Sequence, residues 1–122
     1  MKKILVVDDD LSLASALASS FIKRGYLSLV AGDLEGAKVI ANDQLPEFAV
    51  VDLRLNQSNG LEVTKELIAI NPEMKIVVLT GYASINTAVE AMKLGACHYL
   101  AKPANANEIL EAFGATKGRT DV

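Results

Sequence analysis

The chain has 122 residues, half of them hydrophobic (51%) and 22% charged, with a formal net charge of −3. That is one ordinary domain with enough apolar residues for a core, which excludes a disordered chain. A net negative charge argues against nucleic-acid binding by this segment, because phosphate contacts need a basic face. One cysteine and one histidine exclude a disulfide framework and a Cys/His zinc cage.

In chain order, residues 4–7 are an unbroken apolar run closed by Asp8-Asp9-Asp10. The run is too short for a secretory signal and reads as a buried strand. Residues 11–24 turn helical, with Ala14, Leu17, Ala18, Phe21 and Ile22 on one face and Gly25 as the left-handed stop. Residues 26–30 form a short strand, and Asp33 caps a helix over residues 34–41 that turns Leu34, Ala37, Ile40 and Ala41 inward. Phe48-Ala49-Val50-Val51-Asp52 is the second unbroken apolar run, and it ends on a carboxylate followed by a polar loop. Asn59 and Glu62 have capping-box spacing for a helix through Ile70, which Asn71-Pro72 ends. Residues 75–80 are a strand. Ser84 caps the next helix, with Ile85, Ala88, Val89 and Met92 expected inward and Gly95 as its stop. Residues 97–101 are the last strand, before Lys102-Pro103. Asn105 and Glu108 open a final helix that buries Ala106, Ile109, Leu110 and Phe113. Residues 1–116 are read as one domain and residues 117–122 as a polar tail. No segment is long enough to span a bilayer, so a cytoplasmic protein is expected.

Five strands alternating with five helices predict an α/β fold, a parallel five-stranded sheet covered on both faces. Unbroken apolar strands are the mark of such sheets. The unusual polar residues all fall at strand carboxyl ends: Asp8 and Asp9 after the first, Asp52 on the third, Thr80 on the fourth, Lys102 after the fifth. Open α/β sheets place their ligands along that edge. Three carboxylates in one crevice repel one another and must share a proton or a cation. With only oxygen ligands available, the cation is a hard one, Mg²⁺ or Mn²⁺ in its place. An acidic, half-finished Mg²⁺ site beside a lysine and a hydroxyl is suited to phosphoryl transfer, and a carboxylate can itself accept the phosphoryl group.

Taken together and in order, Val6-Val7-Asp8-Asp9, Val50-Val51-Asp52, Asn59-Gly60, Leu79-Thr80-Gly81 and Tyr99-Leu100-Ala101-Lys102-Pro103 resemble the receiver domain of two-component response regulators, the CheY-like family. The resemblance runs from Lys3 to about Phe113. It implies the flavodoxin-like strand order 2-1-3-4-5, with the Asp52 strand in the middle of the sheet. It implies that Asp52 takes a phosphoryl group from a sensor histidine kinase or a phosphotransfer protein. Asp9, Asp52 and the backbone carbonyl of Arg54 would ligate Mg²⁺, with Asp8 acting through water. Lys102 would pair with Asp52 and then with the phosphate. Thr80 would move to a phosphate oxygen, leaving room for Tyr99 to turn inward, and the Lys102-Pro103 bond is expected to be cis. The face made by the fourth helix, last strand and fifth helix would then change a partner contact, a homodimer formed on phosphorylation among them.

Departures from the family pattern are Asn56, where a proline is common, and an uncharged last strand, which argues against a dimer held by charged pairs there. Arg54 and Tyr82 are bulky at the two positions flanking the path of the hydrolytic water, which implies a long-lived phosphorylated state. The segments Asp52-Leu53-Arg54-Leu55, Thr80-Gly81-Tyr82 and Leu100-Ala101-Lys102-Pro103-Ala104 resemble redox-responding regulators with a Fis-type DNA-binding tail. The chain ends before such a tail and reads as an excised receiver or a single-domain regulator, controlling an output such as transcription. The alternative of another class is a haloacid-dehalogenase-type phosphatase, with Asp8 as nucleophile, Asp10 as acid and Ser12 following. It lacks a late acidic pair after Lys102 and leaves Asp52 unexplained.

Overall fold

The computed structural model of the chain describes residues 1–55, 59–81 and 85–114. Ser84 and the tail of residues 117–122 lie outside them. The described elements run β1 (Lys3–Val7), α1 (Leu11–Lys23), β2 (Leu27–Ala31), α2 (Leu34–Gln44), β3 (Phe48–Asp52), α3 (Gly60–Ile70), β4 (Lys75–Thr80), α4 (Ile85–Lys93), β5 (His98–Ala101) and α5 (Ala106–Phe113). The strands form a parallel sheet in the order β2-β1-β3-β4-β5. Each strand change is therefore a crossover through a helix, as parallel pairing requires.

The two-residue period of a strand sorts the core into two layers. Leu5, Val7, Ala49, Val51, Ile76 and Val78 face one side and meet Ala37 and Ala41 of α2, Val63 and Leu67 of α3, and Ala91 of α4. Ile4, Val6, Phe48, Val50, Val77 and Leu79 face the other and meet Ala14 and Phe21 of α1 and Ile109, Leu110 and Phe113 of α5. Phe48 and Phe113 stack there with centroids 4.6 Å apart. Asn105 starts α5 with a complete capping box, its side chain accepting from the Glu108 amide while Glu108 accepts from the Asn105 amide.

Four sequence expectations are corrected. Ile22 is 54% exposed. Ala14 and Phe21 centre the buried stripe of α1, and Ile22 falls about a quarter turn away from it. β2 starts one residue later than expected, because the Tyr26 amide donates to the Phe21 carbonyl at the end of α1 and Leu27 is the first residue in register with Lys3. α2 continues to Gln44 and ends at Leu45, which adopts φ 52°. Pro46 restricts only the residue before it, so Asn42 and Asp43 stay helical.

The fourth correction is the largest. α4 is rotated, so that Ile85 is 82% exposed and Val89 and Met92 are also exposed, while Ala91 is its buried residue. The small side chain of Ala91 is the one α4 buries in this layer, and burial of apolar residues is a one-way rule that does not oblige Ile85 to turn inward.

Phe113 is fully buried under the sheet and stacked on Phe48. Phe113→Ala is expected to cost about 3–5 kcal/mol, measured by urea denaturation. A loss below 1 kcal/mol would mean that α5 does not close this layer.

Candidate functional site

Alternation and register bring the two central acids together. Ile4, Val6 and Asp8 alternate along β1 and its end, as do Phe48, Val50 and Asp52 along β3, and Val6 is paired with Val50. Asp8 and Asp52 therefore emerge side by side on one face of the sheet. Both are buried, 6% and 8% exposed. The Asp8 carboxylate accepts from the Asp10 amide at 2.9 Å, which fixes its direction. The third acid, Asp9, is half-buried, and one carboxylate oxygen from each of Asp8, Asp9 and Asp52 lies within 4.8 Å of the others.

Lys102 reaches this cluster from the carboxyl end of β5, two strands away from β3. Its amide donates to the Thr80 carbonyl at 2.7 Å, extending the β4–β5 ladder by one residue, and the Lys102-Pro103 bond is cis. Its Nζ lies 3.1 Å from Asp52 Oδ1 and 3.5 Å from Asp8 Oδ2. Thr80 ends β4, fully buried. Tyr99, on β5, is half-buried against the α3/α4 layer, and its hydroxyl is hydrogen-bonded to that of Thr87 on α4. Arg54 is exposed two residues beyond Asp52 and forms an isolated antiparallel bridge with Asn59. Asn56 and Tyr82 lie outside the described residues.

Electrostatics follow from this crowding. Burial pushes the Asp52 carboxyl above its ordinary value; Lys102 pulls it down by hydrogen bond and charge, and the charges of Asp8 and Asp9 push it up again. Burial opposes the Lys102 charge, but the hydrogen bond and charge of Asp52, with Asp8 behind them, outweigh it and hold the ammonium above the ordinary lysine value. One lysine among three carboxylates leaves the cluster short of positive charge. The donor set is all oxygen, the kind a hard divalent cation such as Mg²⁺ takes. Asp8, Asp9 and Asp52 are therefore the described residues that could hold such an ion, directly or through water.

The Asn59-Gly60 pair does more than start a helix. The Gly60 amide donates to the Leu53 carbonyl at 2.7 Å, and the Asn59 side chain caps the Glu62 amide at 2.9 Å. A Cβ on Gly60 would stand 2.4 Å from the Asp52 carbonyl oxygen and 2.7 Å from Leu53 Cα. Only glycine lets α3 begin against the backbone of the Asp52 strand. The sequence marks Gly60 as part of a motif but does not reveal this approach. Nor does it reveal Thr87, a threonine in the first turn of α4 whose partner is twelve residues away.

An apolar groove of about 320 Å³ runs beside the acids between α1 and the segment after β5. Leu13, Leu17, Leu79, Pro103 and Ala104 line it, and Asp8 and Lys102 reach its edge.

The sequence pattern described as the response regulator receiver domain matches residues 4–114. Photosynthetic apparatus regulatory protein RegA of Rhodobacter capsulatus is 47% identical over 112 residues, which cover 92% of this chain and 61% of that protein. The chain thus spans about three-fifths of the length of this relative. A response regulator from Burkholderia pseudomallei, solved with a phosphorylated aspartic acid, a calcium ion and citrate, superposes with a TM-score of 0.89 at 44% identity, covering 93% of this chain and 66% of that one. A CheY-like receiver domain from Methanospirillum hungatei superposes with a TM-score of 0.87 at 28% identity, covering 93% and 91%.

Two outcomes test this geometry. Gly60→Ala is expected to destabilise the protein by about 1–3 kcal/mol, read by urea denaturation; an unchanged midpoint would mean the loop yields freely. The second concerns pH. Because the folded-state pKa of Asp52 is raised, the fold favours its protonated form, and stability is lost as pH rises through that value. In metal-free buffer Asp52→Asn should therefore melt higher than the parent at pH 7, with the advantage shrinking as the pH falls and the parent's Asp52 takes up its proton. A lower melting point at pH 7 would show that Lys102 overcompensates burial.

Proposed function

The chain belongs to the response regulator receiver domain family of two-component signalling, and on that premise we propose that Asp52 is its phosphoacceptor. The observation that carries the reading is the position of Lys102 Nζ, 3.1 Å from Asp52 Oδ1 with Asp8 and Asp9 alongside. The donor is a phosphohistidine on a sensor histidine kinase or a phosphotransfer protein. An Asp52 carboxylate oxygen attacks phosphorus in line; the new P–O bond forms as the P–N bond breaks, and the electron pair leaves with the imidazole nitrogen. Lys102 opposes the upward push of burial on the Asp52 carboxyl and then follows the charge onto the phosphoryl oxygens. The Thr80 hydroxyl donates to one of those oxygens. Asp9, Asp52 and the Arg54 carbonyl, with Asp8 through water, would hold Mg²⁺, or Mn²⁺ in its place, which supplies further charge neutralisation on the same oxygens.

The chain acts as a signalling phosphoacceptor that catalyses only its own phosphorylation and slow dephosphorylation. The donor protein docks on the apolar groove between α1 and the segment after β5, which opens beside Asp8 and Lys102. Movement of Thr80 and an inward turn of Tyr99 carry the change to the α4-β5-α5 face. There the exposed Ile85, Val89 and Met92 support a contact with a partner, including a second copy of the chain. The output is control of transcription, in the cytoplasm, with no nucleic-acid contact by this segment. No described helix is long and apolar enough to cross a membrane. The phosphatase alternative needs Asp10 as a free acid, whereas its carboxylate caps α1 by accepting from the Leu13 amide at 3.1 Å.

Incubation with acetyl phosphate and Mg²⁺, followed by intact-mass measurement, is expected to add one phosphate to the parent and none to Asp52→Asn. Lys102→Ala should lower the yield or rate at least tenfold. Full phosphorylation of Asp52→Asn would overturn the assignment.

A further inference from the structure

The hydroxyl pair of Thr87 and Tyr99 joins α4 to β5. α4 turns its larger apolar side chains outward, and Ala91 is its buried residue. Thr87 lies in the first turn of this helix, half-buried, and its Oγ1 meets the Tyr99 hydroxyl of β5. Tyr99 in turn is a neighbour of Thr80, the last residue of β4. Val78 is paired with Tyr99 and Thr80 with Ala101, so Thr80 and Tyr99 project from the same face of adjacent strands as diagonal neighbours.

From this arrangement we propose that Thr87 is a positioning residue that latches Tyr99 to α4 and opposes the phosphorylated arrangement. The proposal rests on the assignment of Asp52 as phosphoacceptor. A phosphoryl group that draws Thr80 toward itself vacates volume beside the Tyr99 ring. The ring can fill that volume only by carrying its hydroxyl away from Thr87, and a hydrogen bond held in one arrangement and lost in the other biases the equilibrium toward the first. Loss of the bond also removes a tie between β5 and α4, a helix whose one buried residue among those described is Ala91.

The test is titration with beryllofluoride and Mg²⁺, a phosphoryl mimic, followed by fluorine NMR of protein labelled with fluorotyrosine, in which Tyr99→Phe assigns the Tyr99 signal. Thr87→Val keeps the shape of the side chain and removes its hydroxyl; Thr87→Ser keeps the hydroxyl. Loss of one neutral hydrogen bond changes an equilibrium by about three- to tenfold. Thr87→Val and Tyr99→Phe are each expected to bind the mimic that much more tightly than the parent. The double variant should bind no more tightly than either single one, and Thr87→Ser should match the parent. A parent that binds while Thr87→Val binds equally or more weakly, or single effects that add in the double variant, would overturn the latch and leave Asp52 in place. A parent that does not bind the mimic would overturn the phosphoacceptor assignment, and the latch with it.

Discussion

A single ammonium group set among three carboxylates is the constraint on which the rest of this structure depends. Asp8 and Asp52 are buried side by side, and Lys102 contacts both, 3.5 Å and 3.1 Å away. Removing charged groups from water is costly unless they are paired, and here the pairing is incomplete. The fold tolerates this because the surrounding strands are apolar on both faces and hold the acids at fixed positions. A cluster left short of positive charge is the setting in which the proposed cation and phosphoryl group would each relieve repulsion. The raised pKa of Asp52, caused first by burial, expresses the same shortage.

The backbone around the cluster is arranged with little freedom. Leu53 donates from its amide to the Leu79 carbonyl and accepts from the Gly60 amide, so the residue after Asp52 is held from both sides. Lys102 is held by the Thr80 carbonyl, and Asp8 donates from its amide to the Ala31 carbonyl. These bonds tie the ends of β1, β3 and β4 and the segment after β5 to neighbouring backbone. The lightly packed part is elsewhere: among its described residues α4 has one fully buried, Ala91, and presents Ile85, Val89 and Met92 to solvent. A rigid site beside a lightly seated helix is the division of labour that a switch needs.

Much of this was legible in the sequence because it depends on short-range patterns. Apolar runs closing on Asp8, Asp52 and Thr80 announce buried parallel strands, and a carboxylate at the end of such a run has one edge of the sheet to occupy. The face of α5 was equally legible, since Ala106, Ile109, Leu110 and Phe113 leave no competing stripe. The face of α4 was not. Its strongest apolar stripe is Ile85, Val89 and Met92, and periodicity cannot tell a stripe that meets the core from one that meets a partner. What distinguishes the observed rotation is the burial of Ala91 in the core layer, a tertiary fact. For the same reason, Gly60 could be recognised as a motif residue without its 2.4 Å proximity to the Asp52 carbonyl being apparent. The Thr87–Tyr99 contact joins a helix to a strand and has no local signature at all.

The central claim is that Asp52, and not one of the N-terminal acids beside it, carries the acyl phosphate. Borohydride reduces an acyl phosphate on aspartate to homoserine, so reduction after phosphorylation, followed by peptide sequencing by mass spectrometry, reads the position directly. Homoserine at position 52 alone is the predicted result. Homoserine at position 8 or 9, or none at any position in protein shown to have gained a phosphate, would contradict it.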